Sequence, residues 1–166
     1  VQSLVKGRSF SVEGQNYQTL PDVRVMRAKR KDASDQLLSK VGAKREDLIE
    51  RNGALLYFRR TSSDKLSARA EVVNQHTLLP AAVQADSGQF VMLPGSIIAR
   101  PKDMQQSRQI AADHGLRLTG SFDHLGITTF EVIPGQDVVL AAQTLARDGR
   151  VSRAEPEVIA ALPEPR

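Results

Sequence analysis

Hydrophobic and polar positions follow two different periods along the chain, most clearly in its second half. Residues 96–100 form a short apolar run, and residues 127–133 (ITTFEVI) are rich in β-branched residues, as is typical of strands. Apolar residues recur near helical spacing after Asp103 and after Asp137, whose side chains are suited to cap the first turn of a helix. A final strand is expected over 151–159. The pattern predicts strand, helix, strand, strand, helix, strand.

The first half repeats this pattern at a fixed offset. An offset of 73 positions aligns about 60 residues of the chain with itself without a gap. Gly42 then falls on Gly115 and Gly53 on Gly126, and apolar positions share the same register. We interpret this as an internal repeat.

The repeat predicts the elements of the first half and the fold class. A strand, a helix, a hairpin, a helix and a strand are expected at 23–28, 33–41, 48–59, 65–75 and 78–85. Asn52-Gly53 is the strongest turn signal, and Asp64 is expected to cap the helix over 65–75. Two helical crossovers around a hairpin give a four-stranded antiparallel sheet with both helices on one face. The predicted fold is α+β, with two tandem ferredoxin-like βαββαβ units.

Three regions follow from these elements. Residues 1–19 form an N-terminal extension with a hairpin around Glu13-Gly14, residues 20–90 the first unit, and residues 91–166 the second unit with a C-terminal tail. The connection 88–95 is too short and too apolar for a free linker. We therefore expect the two units to pack together or to extend each other's sheets.

Composition removes several classes of chemistry. The chain has no cysteine, which excludes disulfides, thiol catalysis and cysteine-ligated zinc. His76, His114 and His124 lack metal-ligand spacing, and no Gly-x-Ser-x-Gly motif is present. No apolar run approaches the roughly 20 residues that cross a bilayer. We expect a non-catalytic protein with no cofactor, no metal and no membrane partner.

The positive charge is concentrated in the first half. Residues 1–90 contain 15 Lys and Arg against 10 Asp and Glu, whereas residues 91–166 contain 8 against 9. A basic module that binds nucleic acid or an acidic partner is therefore one alternative. RNA readout needs aromatic side chains on one sheet face, but Tyr57 and Phe58 are adjacent and point to opposite faces, which disfavours nucleic acid. The residues of this basic patch are Arg24, Arg27, Lys29, Arg30 and Lys31.

The last strand carries the most informative motif, Ala154-Glu155-Pro156-Glu157, which follows the helix and turn that end in Asp148-Gly-Arg-Val. With the strands and helices before it, residues 93–163 resemble the propeptide of subtilisin-like serine proteases. The resemblance implies a folding chaperone and inhibitor within a protease precursor, or zymogen. Its partner would be the catalytic domain, in cis or in trans after cleavage, and its location secreted or periplasmic.

The resemblance also assigns the protease-binding residues. Glu155 and Glu157 would cap exposed N–H groups at the N-termini of protease helices, where a carboxylate is favoured. The tail would lie extended in the active-site cleft, with the residues Ala160, Ala161, Leu162 and Pro163. The first copy has Ala82 and Gln84 in place of the two glutamates, so only the second is expected to bind in this way. A free-standing inhibitor with the same site is a further alternative, which differs in whether a catalytic domain follows Arg166.

Overall fold

The computed structural model describes residues 4–161, which form an α+β protein with two antiparallel sheets. The α+β class and the antiparallel sheets are confirmed. The elements of the first sheet and its helix are β1 (Ser9–Val12), β2 (Gln15–Arg27), α1 (Ser34–Lys40), β3 (Leu48–Asn52), β4 (Leu55–Arg59), β5 (Glu71–Val73), β6 (His76–Gln84) and β7 (Phe90–Met92). Those of the second are β8 (Ser96–Pro101), α2 (Ser107–His114), β9 (Arg117–Phe122), β10 (Ile127–Glu131), α3 (Val138–Ala146) and β11 (Val151–Pro156).

The second sheet has the elements that its hydrophobic pattern predicts. Its strand order is β11-β8-β10-β9, with α2 and α3 as the two crossovers and β9–β10 as the hairpin. Ile110 of α2 and Leu145 of α3 are fully buried in one cluster with Ile97 and Phe130 of the sheet. Both helices therefore cover the same face, and the other face of the second sheet is left for other contacts.

The first sheet shares part of this plan. Its order is β3-β4-β2-β6-β5, with β1 beside β2 and β7 beside β6, so four of its strands are ordered as in the second sheet. The helices α1 and α2 begin at Ser34 and Ser107, the 73-residue offset of the repeat. Residues 55–58 are all buried because α1 covers one face, while Met92 and neighbouring apolar residues cover the other.

The helix predicted over 65–75 is wrong, and two matching ferredoxin-like units are not confirmed. Asp64 does accept a hydrogen bond from the Leu66 N–H at 3.0 Å, but the chain then turns to the N-terminus of α3. There the Ala68 N–H donates to the Asp137 carboxylate at 2.9 Å, and the Ala68 carbonyl accepts from the Val138 N–H at 3.2 Å. These long-range bonds replace the local helical ones.

The N-terminal residues belong to the first sheet. Strands β1 and β2 are joined by Glu13 and Gly14, whose φ values of +50° and +81° suit a two-residue hairpin turn. Strand β2 continues to Arg27, so the boundary predicted after residue 19 falls inside a strand. The three predicted regions stay predictions.

The two sheets share one hydrophobic core. Phe10 and Tyr17, whose rings stack with centroids 5.4 Å apart, join the cluster that contains Ile97 and Ile110. Residues 90–101 pass from β7 in one sheet to β8 in the other, which agrees with the expectation that the units pack together. A groove of about 220 Å³ lies between the sheets, beside Leu93. No helix in the range 4–161 is long and apolar enough to cross a membrane.

Candidate functional site

Strand β11 places Glu155 on the face of the second sheet that the helices do not cover, and Glu157 follows directly after the strand ends at Pro156. Glu155 is paired with Ile98 of β8, and the Glu157 N–H donates to the Ser96 carbonyl at 2.9 Å. Because side chains alternate along a strand, Glu155 shares the face of Ile98, opposite Ile97 in the core. The sequence argument that Glu157 points the same way stays a prediction.

This face, which we call the open face, carries exposed apolar side chains. Ile98 is 42% exposed, Phe122 is 43% exposed and Leu125 in the β9–β10 turn is 53% exposed. The Arg100 guanidinium donates to the Leu125 carbonyl at 3.1 Å and holds that turn against the sheet. Exposed apolar groups grouped in this way are typical of interaction surfaces.

The Glu155 carboxylate has partners within the chain. Its Oε2 accepts a hydrogen bond from the Glu13 N–H at 2.9 Å, and its Oε1 lies 2.7 Å from the Arg153 Nε. Glu13 is in the β1–β2 turn, so the N-terminal hairpin supplies a backbone donor of the kind expected from a partner's helix. A carboxylate offers about four lone-pair sites, so the two bonds leave acceptor capacity for a further donor.

The Glu157 carboxylate differs from that of Glu155. Within residues 4–161, no hydrogen bond or ion pair to the Glu157 side chain is recorded. Its backbone is fixed by the bond to Ser96, and its side chain is half-buried beside the open face. Of the two glutamates, Glu157 is the one with its acceptors available.

The C-terminal segment after β11 continues along the first sheet. Ile159 and Met92 exchange two backbone hydrogen bonds of 2.8 and 2.9 Å, and the Asn52 side-chain amide donates to the Ala160 carbonyl at 3.1 Å. Ala161 is exposed. Leu162 and Pro163, the other predicted tail residues, lie outside the described residues.

The structure separates Arg24 from the rest of the basic patch. Arg24 is only 6% exposed, because it lies in β2 between two buried valines. Its Nη1 donates to the carbonyl of Pro21 at 2.8 Å and its Nε is 3.6 Å from the Glu71 carboxylate. Burial lowers the pKa of the Arg24 guanidinium, and Glu71 opposes that shift. The exposed members of the patch are Arg27, Lys29, Arg30 and Lys31.

The aromatic residues that a nucleic-acid surface needs are also buried. Tyr57 and Phe58 are both fully buried, on opposite faces of β4. Burial raises the pKa of the Tyr57 hydroxyl well above its ordinary value. Neither ring is available to stack on a base, so the structure gives the RNA alternative no support.

Sequence reasoning missed a charged cluster at the start of β11. The Asp148 carboxylate accepts from the Arg150 Nη2 at 2.7 Å and lies 2.8 Å from the His114 Nε2, while Arg150 also reaches Asp113 at 2.8 Å. The hydrogen bonds from Arg150 and then His114 hold the pKa of Asp148 well below its ordinary value. The spacing of Asp148 and Arg150 around Gly149 was the available signal. The cluster ties the end of α2 to the turn that begins β11.

Residues 4–161 contain no group of three or more His, Asp or Glu side chains that is arranged to hold a metal ion.

Together, the fold and site define a class of small α+β protein with an open sheet face beside an extended C-terminal segment. The chain belongs to the family described as the Open reading frame 2 N-terminal domain, which matches residues 5–165. The specific relation to subtilisin propeptides stays a prediction.

The chain was also compared with curated proteins and with solved structures. No curated protein matches the chain. A chain in the crystal structure of the Aeromonas sobria serine protease and the chaperone (ORF2) complex is 24% identical, with 58% of this chain and 99% of that chain covered. The TM-score of 0.42 does not establish a shared fold.

Proposed function

We propose that this protein is a chaperone of a serine protease, non-catalytic itself, which also inhibits the protease. The observation that carries the proposal is the open face, where Glu155 lies beside exposed apolar residues on a strand that leads through Glu157 into the C-terminal segment. Membership of the Open reading frame 2 family supports it, since the chaperone of the Aeromonas sobria protease bears the designation ORF2.

The partner that best fits this surface is a subtilisin-like catalytic domain. A helix N-terminus presents unpaired N–H donors and a partial positive charge, and a carboxylate placed there contributes roughly 0.3–2 kcal/mol. Ile98, which is paired with Glu155, and Phe122 on the far edge strand β9 supply apolar area that such helices can bury. Glu157 is the stronger candidate cap because Glu155 is already bonded to the β1–β2 turn.

The residues after β11 complete the proposed inhibition. Ala160 and Ala161 follow Glu157 after Val158 and Ile159, and an extended segment with small side chains suits strand addition in a protease cleft. The proposed role places the protein with its protease in a secreted or periplasmic location. It applies equally to a domain in cis, a domain released by cleavage and a free-standing inhibitor.

Inhibition assays test this function. The wild-type chain and Glu155→Gln/Glu157→Gln are titrated against a panel of subtilisin-like proteases and the Aeromonas sobria serine protease, with a chromogenic peptide substrate. At about 0.3–1 kcal/mol for each surface carboxylate, loss of both caps should raise the inhibition constant roughly three- to thirty-fold. A larger effect of Glu157→Gln than of Glu155→Gln is expected.

The matched control also removes two negative charges, but at positions outside the open face. Glu46 and Asp86 are exposed residues associated with the first sheet, and Glu46→Gln/Asp86→Asn should leave inhibition at the wild-type value. If no protease in the panel is inhibited by the wild-type chain, the proposed function is wrong.

A further inference from the structure

The C-terminal segment is held by the sheet that lacks the two glutamates. Beyond Pro156, the strand pairing passes from β8 of the second sheet to β7 of the first, through Ser96 and then Met92. Residues 151–160 therefore pair with β8 of the second sheet and with β7 of the first, and Ala160 then reaches Asn52 on the opposite edge strand of the first sheet. The first sheet determines where this segment lies after it leaves the second.

Asn52 holds the outermost described part of that segment. Its side-chain amide donates to the Ala160 carbonyl across 108 positions of sequence. Asn52 is the last residue of β3, and its turn is fixed because Gly53 has a φ of +59° and the Ala54 carbonyl accepts from the Ala28 N–H at 2.8 Å. The Asn52 amide therefore lies at a short hairpin turn rather than in a long loop.

The side chains of the segment alternate between two hydrophobic clusters. Ile159 packs against the cluster of the first sheet that includes Val25 and Tyr57, whereas Val158 and Ala160 pack against the core shared by the two sheets. Backbone pairing, the Asn52 amide and apolar packing all act on the same few residues. Such contacts lower the conformational freedom of the segment before any partner binds.

We propose that the first sheet is an anchor that sets the position and direction in which the C-terminal tail meets the protease, with Asn52 as a positioning residue. The inference rests on the proposed function above. An anchored segment loses less conformational entropy on binding than a free one, which strengthens inhibition without a new contact to the protease. It also gives the first sheet a role, although Ala82 and Gln84 replace the glutamates there.

Two measurements on the full chain test the anchor. The first is hydrogen exchange of the Ile159 N–H, which donates to Met92, in the absence of protease. The second is the inhibition constant and association rate against the protease that the wild-type chain inhibits best. Asn52→Asp keeps the size of the side chain and removes its N–H donors, and Ile159→Pro removes the backbone donor itself.

Asn74→Asp is the matched control. The Asn74 amide also donates to a backbone carbonyl, that of Lys40 at 2.7 Å, in an exposed turn of the first sheet. The change in chemistry is the same as in Asn52→Asp, and the tail is not involved. Both variants are checked for an unchanged midpoint of thermal unfolding, so that a general loss of stability is recognised.

The expected result is faster exchange at Ile159 in Asn52→Asp by about three- to ten-fold, the range for one neutral hydrogen bond, with inhibition weakened by a similar factor. Ile159→Pro should weaken inhibition at least as much, and Asn74→Asp should change neither quantity. If hydrogen exchange of the Ile159 N–H is unchanged in Asn52→Asp, the proposal that Asn52 anchors the segment is wrong. Faster exchange of the Ile159 N–H in Asn52→Asp, together with full inhibition by both Asn52→Asp and Ile159→Pro, would overturn the role of the first sheet in presenting the tail. If the wild-type chain inhibits no protease, the proposed function fails and this inference fails with it.

Discussion

Glu155 in β11 and Glu157 just after that strand are two positions apart, but their carboxylates have different surroundings. The Glu155 carboxylate accepts a hydrogen bond from the Glu13 N–H and forms an ion pair with Arg153. Within residues 4–161, the Glu157 side chain has no such partner. The sequence predicted a shared face for the two side chains because side chains alternate along a strand. It did not indicate the Glu13 contact, which joins residues 142 positions apart.

Asp148 makes stability depend on acid pH. Four hydrogen-bond donors surround its carboxylate, three from Arg150 and one from His114, and they hold its pKa below the ordinary value. Because the folded-state pKa lies below the unfolded value of about 3.9, the ionised carboxylate stabilises the fold above that pH. This contribution is lost as the pH falls through the folded-state pKa.

Asp148→Asn should therefore lower the free energy of unfolding near neutral pH by about 1–3 kcal/mol, because the charge-assisted bonds are weakened. Urea titrations between pH 7 and pH 3 measure the free energy of unfolding of both proteins. The difference in this free energy between wild type and Asp148→Asn should become smaller below about pH 4. Asp86→Asn, at an exposed turn, provides the comparison. If the difference in the free energy of unfolding stays constant with pH, the lowered pKa of Asp148 is contradicted.

At the scale of elements, the junction between residues 64–70 and α3 decides the architecture of the first half. Asp137 was expected to cap α3, and it accepts the Leu140 N–H at 3.0 Å. The same carboxylate accepts the buried Ala68 N–H, which is why the chain there does not form its own helix. One side chain thus satisfies donors from two parts of the fold.

Asp137→Ala should cost about 2–4 kcal/mol in the free energy of unfolding, because it removes a helix cap and leaves a buried N–H without its acceptor. Asp103→Ala is the matched control, since among residues 4–161 the Asp103 carboxylate accepts only the exposed Gln105 N–H at 3.0 Å, and its loss should cost about 1 kcal/mol. Urea denaturation monitored by circular dichroism measures both. Equal losses would show that the bond to Ala68 contributes little.

At the scale of the whole molecule, the shared core makes the two sheets one folding unit. Phe10, Tyr17 and Ala82 of the first sheet lie in the same cluster as Ile97 and Ile110 of the second half. Because both halves contribute side chains to one core, we expect a single unfolding transition that both halves follow.

Ile97→Val tests this coupling, with Ile98→Val as the control at the neighbouring position. Ile97 is fully buried, so its loss of one methylene should cost about 0.5–1.5 kcal/mol, whereas Ile98 is 42% exposed and should cost less. Hydrogen exchange should report the Ile97→Val loss equally at the slowest amides of β4 and β8. A loss confined to β8 would mean that the sheets unfold separately.

The sequence by itself determined the local elements and the chemistry of the last strand. Period and turn residues were sufficient for the elements of the second sheet, for the hairpin at Asn52-Gly53 and for the face on which Glu155 lies, because these depend on neighbours along the chain. The absence of cysteine likewise needed no structure.

Only the tertiary structure decided the contacts between distant segments. The loss of the helix over 65–75, the burial of Arg24 and the placement of the C-terminal segment on Asn52 all depend on partners far away in sequence. Local propensity is a weak preference that such hydrogen bonds and burial override. The site therefore combines a strand that its own residues specify with an anchor that the folded first sheet supplies.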